Sequence, residues 1–182
     1  MKTLKYIALF LMMISTFSCS RADEDEDVLT QEDISNIILV VKEEISGTAV
    51  TYNYVLNSST NPVIKLEDGK KYSVSAFFKN GNEDETESIK SAKDEHFLIY
   101  QFQGSIINLT RLDDESSTRS DGNKVGLLTK WEVQKAVNAA EPKLILTLIH
   151  DANSVSEMQN GTTFGSVEGG ETDAMATFGI RN

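Results

Sequence analysis

The chain has 182 residues with 28 acidic and 17 basic side chains, and its net charge is −11. A surface of this sign repels phosphate backbones and anionic lipid headgroups, which argues against nucleic acid as a partner. Cys19 is the one cysteine of the sequence, so an intramolecular disulfide is excluded and the fold must depend on its apolar core.

The first residues have the pattern of a secretory signal peptide. Lys2 and Lys5 precede an unbroken apolar run over residues 6–14, and small polar residues follow. A run of this length behind basic residues is typical of a signal peptide, whereas a membrane-spanning helix needs about 20 apolar residues. We therefore predict that residues 1–18 are removed. Without Lys2 and Lys5, 15 basic residues face 28 acidic ones, a net charge of −13.

The segment Thr16-Phe17-Ser18-Cys19 resembles the lipobox of bacterial lipoproteins, in which the cysteine sulfur carries a diacylglyceryl group. Thr16 departs from the leucine that is usual there. The resemblance implies lipidation of Cys19, and the resulting two or three acyl chains, palmitate among them, would hold the protein on a membrane. Cleavage after Ser20-Arg21-Ala22 is the alternative, and it would release a soluble protein.

Five consecutive acids occupy residues 23–27, within a predicted linker over residues 19–33. A block of like charges favours a solvated, disordered spacer. The run also resembles the export signal that sends Bacteroidetes-type lipoproteins to the cell surface. We expect an outer-membrane protein that faces outward, with a periplasm-facing protein as the alternative.

Short segments rich in strand formers follow in chain order, and no amphipathic helix is evident among them. The clearest alternation places Tyr72, Val74, Ala76 and Phe78 on one face, which is the period of a half-buried strand. Together these segments predict one all-β domain over residues 34–182, an immunoglobulin-like antiparallel β-sandwich of about eight strands. The predicted strands cover residues 37–41, 51–56, 72–78, 96–102, 106–109, 127–133, 144–149 and 174–180.

Three longer stretches are predicted to be connections. Residues 80–94 are polar and acidic and could hold one short helical turn. Residues 112–125 end in an Asp-Gly-Asn turn, and residues 161–170 are rich in glycine. The aromatic side chains of Tyr52, Tyr54 and Trp131 are expected in the core.

Several segments together resemble a family of short acidic Bacteroidetes lipoproteins that often carry the label "type 1 periplasmic binding fold". The resemblance implies an envelope address and a β-sandwich, but no activity. This chain departs from the family in its longer Asp/Ser-rich loop over residues 113–126. A two-lobed binding protein would need repeated βαβ units and a longer chain than this. The matching segments are Asn61-Pro62-Val63-Ile64, Gly69-Lys70-Lys71-Tyr72, Asp94-Glu95-His96-Phe97, Leu146-Thr147-Leu148-Ile149-His150 and Gly170-Glu171-Thr172-Asp173.

The Asp/Ser-rich loop offers hard oxygen ligands of the kind that Ca²⁺ prefers. The spacing does not match the EF-hand pattern, and a solvated hairpin loop is the simpler interpretation. We therefore predict no metal site here and leave calcium as an alternative. The residues concerned are Asp113, Asp114, Glu115, Asp121 and Asn123.

The two histidines, His96 and His150, each stand beside acidic residues. The strand pattern places His96 on an apolar face, where a hydrogen bond to a carboxylate is the expected role. A transition-metal site would require several ligands to converge, and both histidines near one carboxylate would indicate such a site.

No pattern of a nucleophilic hydrolase or of a phosphate-binding loop is present in the sequence. We predict no catalytic residues and no cofactor. The expected function is a non-catalytic binding or interaction module whose protein or small-molecule ligand the sequence does not identify. The alternatives are a structural subunit of a larger envelope complex, and a calcium-dependent or carboxylate-based hydrolytic module.

Overall fold

A computed structural model of the chain describes residues 34–182. The predicted signal peptide, Cys19 and the acidic linker lie outside the described residues. The described part contains ten strands, one short α-helix and a 3-10 turn at Glu115–Ser117. In chain order the elements are β1 Asn36–Glu43, β2 Ala49–Val55, β3 Val63–Lys65, β4 Lys71–Asn80, β5 Glu83–Asp84, α1 Thr86–Ser91, β6 His96–Gln103, β7 Ile106–Arg111, β8 Leu128–Lys135, β9 Lys143–Asn160 and β10 Thr163–Arg181.

The strands form two sheets, which confirms the predicted all-β fold class. One sheet has the order β2-β1-β4-β8-β7, and β5 pairs with the end of β4. The other sheet contains β3, β10, β9 and β6. All pairings are antiparallel except that of β3 with β10.

Alternation along the strands builds the core between the sheets. The four residues predicted on one face of β4 are all buried, and Trp131 is fully buried with its ring edge-on to Phe102 at 5.1 Å. Tyr52 and Tyr54 are only partly buried, because they lie on β2 at the edge of their sheet and pack against the rim of the core.

The hairpin of β9 and β10 is much longer than the sequence predicts. Residues 143–150 of β9 pair with one edge of β6, while Thr163 and Phe164 of β10 pair with its other edge. The hairpin therefore bends and folds back over β6. The glycine-rich stretch, predicted to be a connection, is the first half of β10, because glycine is also found at bulges where strands bend.

The bend lies beside His150. Asp151 has a φ of 54°, and Gly170, opposite on β10, has a φ of 81°. A Cβ at Gly170 would lie 2.8 Å from the carbonyl oxygen of His150, so only glycine allows the two strands to approach so closely here. This close approach places His150 beside the segment of β10 that follows.

The polar stretch over residues 80–94 is also more structured than predicted. It contains β5 and α1, and Ile89 of α1 is fully buried. The hydroxyl of Thr86 accepts a hydrogen bond of 3.0 Å from the amide of Phe78, which ties α1 to β4. Across residues 34–182, none of the helical structure is long and apolar enough to cross a bilayer.

Candidate metal centre

Both histidines lie together at one end of the second sheet. His96 opens β6 and is the register partner of His150 on β9. Side chains of directly opposed residues on one face of an antiparallel pair are neighbours, and here the two rings stack. Their centroids are 5.0 Å apart and their planes are inclined by 18°.

A single carboxylate from β10 faces both rings. The Oδ2 atom of Asp173 lies 3.6 Å from Nε2 of His96, and its Oδ1 atom lies 3.9 Å from Nδ1 of His150. All three residues are buried: His96 is 2% exposed, His150 is 8% exposed and Asp173 is 4% exposed. The structure therefore brings both histidines near one carboxylate, the arrangement that the sequence analysis set as the condition for a transition-metal site.

The hydrogen bonding of His96 fixes the role of each ring nitrogen. Its Nδ1 lies 2.9 Å from the carbonyl oxygen of Ala92, so Nδ1 carries a proton and donates it. In the neutral ring, Nε2 then presents a lone pair toward Asp173. Within residues 34–182, neither this Nε2 nor Oδ2 of Asp173 has a hydrogen-bond partner. Two buried acceptors that face each other are costly unless a proton or a cation serves them.

Two exposed carboxylates complete the cluster on its solvent side. Nε2 of His150 lies 3.5 Å from Oε2 of Glu95 and 3.8 Å from Oδ1 of Asp151. One ligand atom from each of these residues lies within 4.8 Å of the other two. The imidazole of His150 thus has Asp173 on its buried side and an acidic pair on its open side. We call His96, Glu95, His150, Asp151 and Asp173 the histidine site.

Arg119 holds the strand that carries His96. Its guanidinium donates hydrogen bonds to the carbonyl oxygens of His96 at 3.0 Å and Lys93 at 3.3 Å. Its Nε lies 3.2 Å from the carboxylate of Asp121. Arg119 therefore links the Asp/Ser-rich loop to the start of β6, a role that its position in the sequence did not indicate.

The three aspartates among the candidate calcium ligands accept hydrogen bonds from within or directly beside their own loop. Asp114 accepts hydrogen bonds from the amide and hydroxyl of Ser116, which hold the pKa of Asp114 below its usual range. Asp121 accepts a hydrogen bond of 2.8 Å from the amide of Asn123. Asp113 is buried and accepts hydrogen bonds from two backbone amides. In the part of the chain that the structure describes, the cluster with converging ligand atoms is at His150 and not in this loop.

Two surface clefts lie away from the histidines. One of about 330 Å³ is lined by residues that include Glu43, Tyr52 and Tyr72, and one of about 170 Å³ lies beside Asp113. Glu43 accepts hydrogen bonds from the amides of Ile45 and Ser46. The hydroxyls of both tyrosines accept hydrogen bonds from backbone amides. The polar groups of the larger cleft hold loops in place. Beside the smaller cleft, Oδ2 of Asp113 is buried without a hydrogen-bond partner among the described residues. The histidine site has two such atoms, Nε2 of His96 and Oδ2 of Asp173, and these two face each other.

Comparison of this chain with protein-family models, with curated proteins and with solved structures found no match.

Proposed function

We propose that this chain is a lipid-anchored envelope protein, held on the outer membrane through Cys19, whose β-sandwich binds a ligand at the histidine site without catalysing a reaction. The address rests on the signal peptide and lipobox patterns of the sequence. The site rests on the convergence of both histidines on Asp173. The two parts of the proposal are tested separately.

The observation that carries the binding proposal is that two buried atoms without hydrogen-bond partners among residues 34–182, Nε2 of His96 and Oδ2 of Asp173, face each other at 3.6 Å. Leaving a buried donor or acceptor unsatisfied costs about 1–3 kcal/mol. Asp173 is 4% exposed, and no lysine or arginine nitrogen of the described residues lies within the 4.0 Å range of an ion pair with it. A bound ligand that brings positive charge or a proton would offset this cost.

The surroundings of the histidines support binding over nucleophilic catalysis. Their polar contacts in the described part of the chain are carboxylates and backbone carbonyl groups. A histidine that activates a nucleophile needs a hydroxyl or thiol within hydrogen-bond reach. The contacts of His96 and His150 are instead those of groups that hold a cation or a cationic ligand.

Thermal unfolding of the full chain in the presence of divalent metal ions, sugars and peptides tests the binding proposal. A ligand that binds only the folded state raises the midpoint in a saturable manner. We expect one class of ligand to do so, and we expect His150→Gln to abolish the shift. Glu168→Gln, an exposed carboxylate elsewhere on β10, is the matched control and should retain it. A panel without any shift that depends on His150 contradicts the proposal.

Protease treatment of intact cells, beside a Cys19→Ser variant, tests the address. Digestion of the wild-type domain is expected for a surface-anchored protein, and the variant should leave the membrane fraction. Protection of the wild type until the envelope is broken would place the domain in the periplasm.

A structural subunit of a larger envelope complex is the second candidate, and the β1–β2 hairpin favours it. Ile45 at its tip is 94% exposed, and Val50 and Val55 on β2 are nearly half exposed. Among the described strands, β2 pairs only with β1, so its other edge is free for an extended segment of a partner protein. A photo-crosslinking residue at position 45 should capture one defined protein in cells, and the same residue at position 168 should not.

A further inference from the structure

We propose that the ligand of the histidine site is a divalent transition-metal ion of the zinc class, bound by Nε2 of His150 with the carboxylates of Glu95 and Asp151. The inference rests on the proposed function and names its ligand. The imidazole decides the class of metal, because calcium and magnesium prefer oxygen ligands alone, whereas zinc accepts nitrogen and oxygen together.

The separations between the ligand atoms suit such an ion. Two ligands at about 2.0–2.1 Å from zinc lie about 3.3 Å apart at the tetrahedral angle. Nε2 of His150 is 3.5 Å from the nearest oxygen of Glu95 and 3.8 Å from that of Asp151. The side chains of Glu95 and Asp151 are 54% and 69% exposed, so small rotations of either can close the site. A fourth position remains open to solvent.

Asp173 lies where a carboxylate can hold a metal-binding histidine in place without itself binding the metal. A metal-binding histidine usually donates its second ring N–H to a carboxylate or carbonyl, which fixes the tautomer and the ring orientation. With Nε2 of His150 on the metal, its Nδ1 carries the proton and faces Oδ1 of Asp173, now 3.9 Å away. The ion does not contact the unpartnered atoms of His96 and Asp173, but its positive charge, one imidazole away, offsets the cost of burying the carboxylate of Asp173.

The geometry makes His96 a supporting residue and not a ligand of the same ion. A metal lies close to the plane of each imidazole that binds it. The rings of His96 and His150 are stacked and nearly parallel, so no single position near their nitrogens lies in both planes. His96 instead packs against His150, and its Nε2 faces the second oxygen of Asp173.

The overall charge also favours a cation. The net charge of −11 gives the surface a negative potential, which raises the local concentration of divalent ions. The acidic pair of Glu95 and Asp151 lies on the solvent side of the imidazole, where an ion would enter.

Calorimetric titration of the full chain with ZnCl₂ tests the assignment, with Cys19→Ser in every sample so that the thiol cannot bind zinc. The expected stoichiometry is one ion per chain. Glu95→Gln and Asp151→Asn exchange exposed groups, are expected to fold normally, and should each weaken binding at least 10-fold. His150→Gln should abolish binding, and Asp173→Asn should weaken it about 10- to 100-fold. Glu168→Gln should bind as the wild type does.

Cobalt substitution gives an independent readout. Co²⁺ in a four-coordinate site absorbs strongly in the visible range, and the wild type should develop this absorption while His150→Gln should not. His96→Gln should retain both the stoichiometry and the cobalt spectrum.

Loss of binding in His96→Gln together with full binding in Glu95→Gln and Asp151→Asn would overturn the ligand set. Absence of zinc binding would overturn the metal assignment. If another ligand class then gives a thermal shift that depends on His150, the proposed function stands without the metal. If no class does, both fall.

Discussion

The backbone amide of Asp151 donates a hydrogen bond of 2.8 Å to the carbonyl oxygen of Glu95. This contact joins β9 at its bend to the residue that precedes β6, and it brings two exposed carboxylates to the open side of His150. Asp151 makes this hydrogen bond with a backbone φ of 54°, a left-handed conformation that costs most residues about 1–2 kcal/mol. Such strain often accompanies functional sites, where the surrounding structure holds it in place.

Replacing Asp151 with glycine should separate stability from binding. Glycine adopts a positive φ without steric cost, so Asp151→Gly should raise the free energy of unfolding of the metal-free protein by up to about 1 kcal/mol. The same change removes a proposed ligand and should weaken zinc binding. Asp151→Asn, which tolerates the left-handed region, should leave stability nearly unchanged. Urea unfolding in the presence of a chelator measures both variants, and a loss of stability in Asp151→Gly would contradict the account.

The guanidinium of Arg111 is buried beside β6, and we expect it to make a neighbouring glycine sensitive to substitution. It donates hydrogen bonds to the carbonyl oxygens of Leu98 at 2.5 Å and Val125 at 2.7 Å, and it lies 4.3 Å from the ring centroid of Phe97. A Cβ at Gly126 would lie 2.1 Å from Nη1 of Arg111. Gly126→Ala should therefore cost the strain of its positive φ and a further 1–3 kcal/mol or so of overpacking.

Gly122→Ala is the matched control for this comparison. Gly122 also has a positive φ, but a Cβ there would meet nothing within 4 Å. The difference between the two variants in the free energy of unfolding therefore reports the contacts of the added Cβ, chiefly with Arg111 and also with Leu98 at 3.3 Å. Equal losses in the two variants would show that the buried guanidinium is free to move aside.

Asp113 should contribute a pH dependence of opposite sign to that of most carboxylates. Burial raises the pKa of Asp113 above the ordinary value of 3.8. As the pH rises from 3.8, the unfolded chain therefore releases its proton before the folded chain does. The folded state then binds more protons, and stability falls with pH up to the raised pKa.

Asp113→Asn removes this titration and keeps an oxygen that can accept from the amides of Gly126 and Leu127. The free energy of unfolding of Asp113→Asn minus that of the wild type should increase between pH 4 and neutral pH. Carboxylates whose pKa is lowered, such as Asp68 beside Lys135, titrate alike in both proteins and cancel in the difference. A flat difference across this range would contradict the buried position of Asp113.

The fully buried Trp131 should be among the most sensitive positions of the core. Its indole N–H donates a hydrogen bond of 2.9 Å to the hydroxyl of Thr129, and Phe102 packs edge-on against its ring. Trp131→Ala should lower the free energy of unfolding by about 3–5 kcal/mol. Ile45→Ala, at the exposed tip of the β1–β2 hairpin, should change it by less than about 0.5 kcal/mol. Denaturant titration followed by circular dichroism measures both.

The sheet architecture could be predicted from sequence wherever one face of a strand is buried. The alternation over Tyr72, Val74, Ala76 and Phe78 corresponds to β4, because apolar residues at every second position indicate a strand with one buried face. The second half of β9 and the first half of β10 could not be predicted in this way. Much of their length is exposed, so no apolar face marks it, and glycines that bend a strand cannot be told from glycines that end one.

Only part of the histidine site could be predicted from the sequence. Asp94-Glu95-His96 and His150-Asp151 stood out because they contain the two histidines, but their meeting depends on the register of β6 with β9. Asp173 lies 23 residues beyond His150 and has no local signal that separates it from the other acids. It lies in the register shift of β10 against β9 between Thr172 and Ala174, and an irregularity of this kind can re-aim a side chain.

Anomalous diffraction at the zinc edge, from crystals of the full chain grown with stoichiometric ZnCl₂, would locate the ion directly. We expect one strong peak about 2.0–2.1 Å from Nε2 of His150 and from an oxygen each of Glu95 and Asp151. A peak between His96 and Asp173, or no peak within reach of His150, would contradict this expectation.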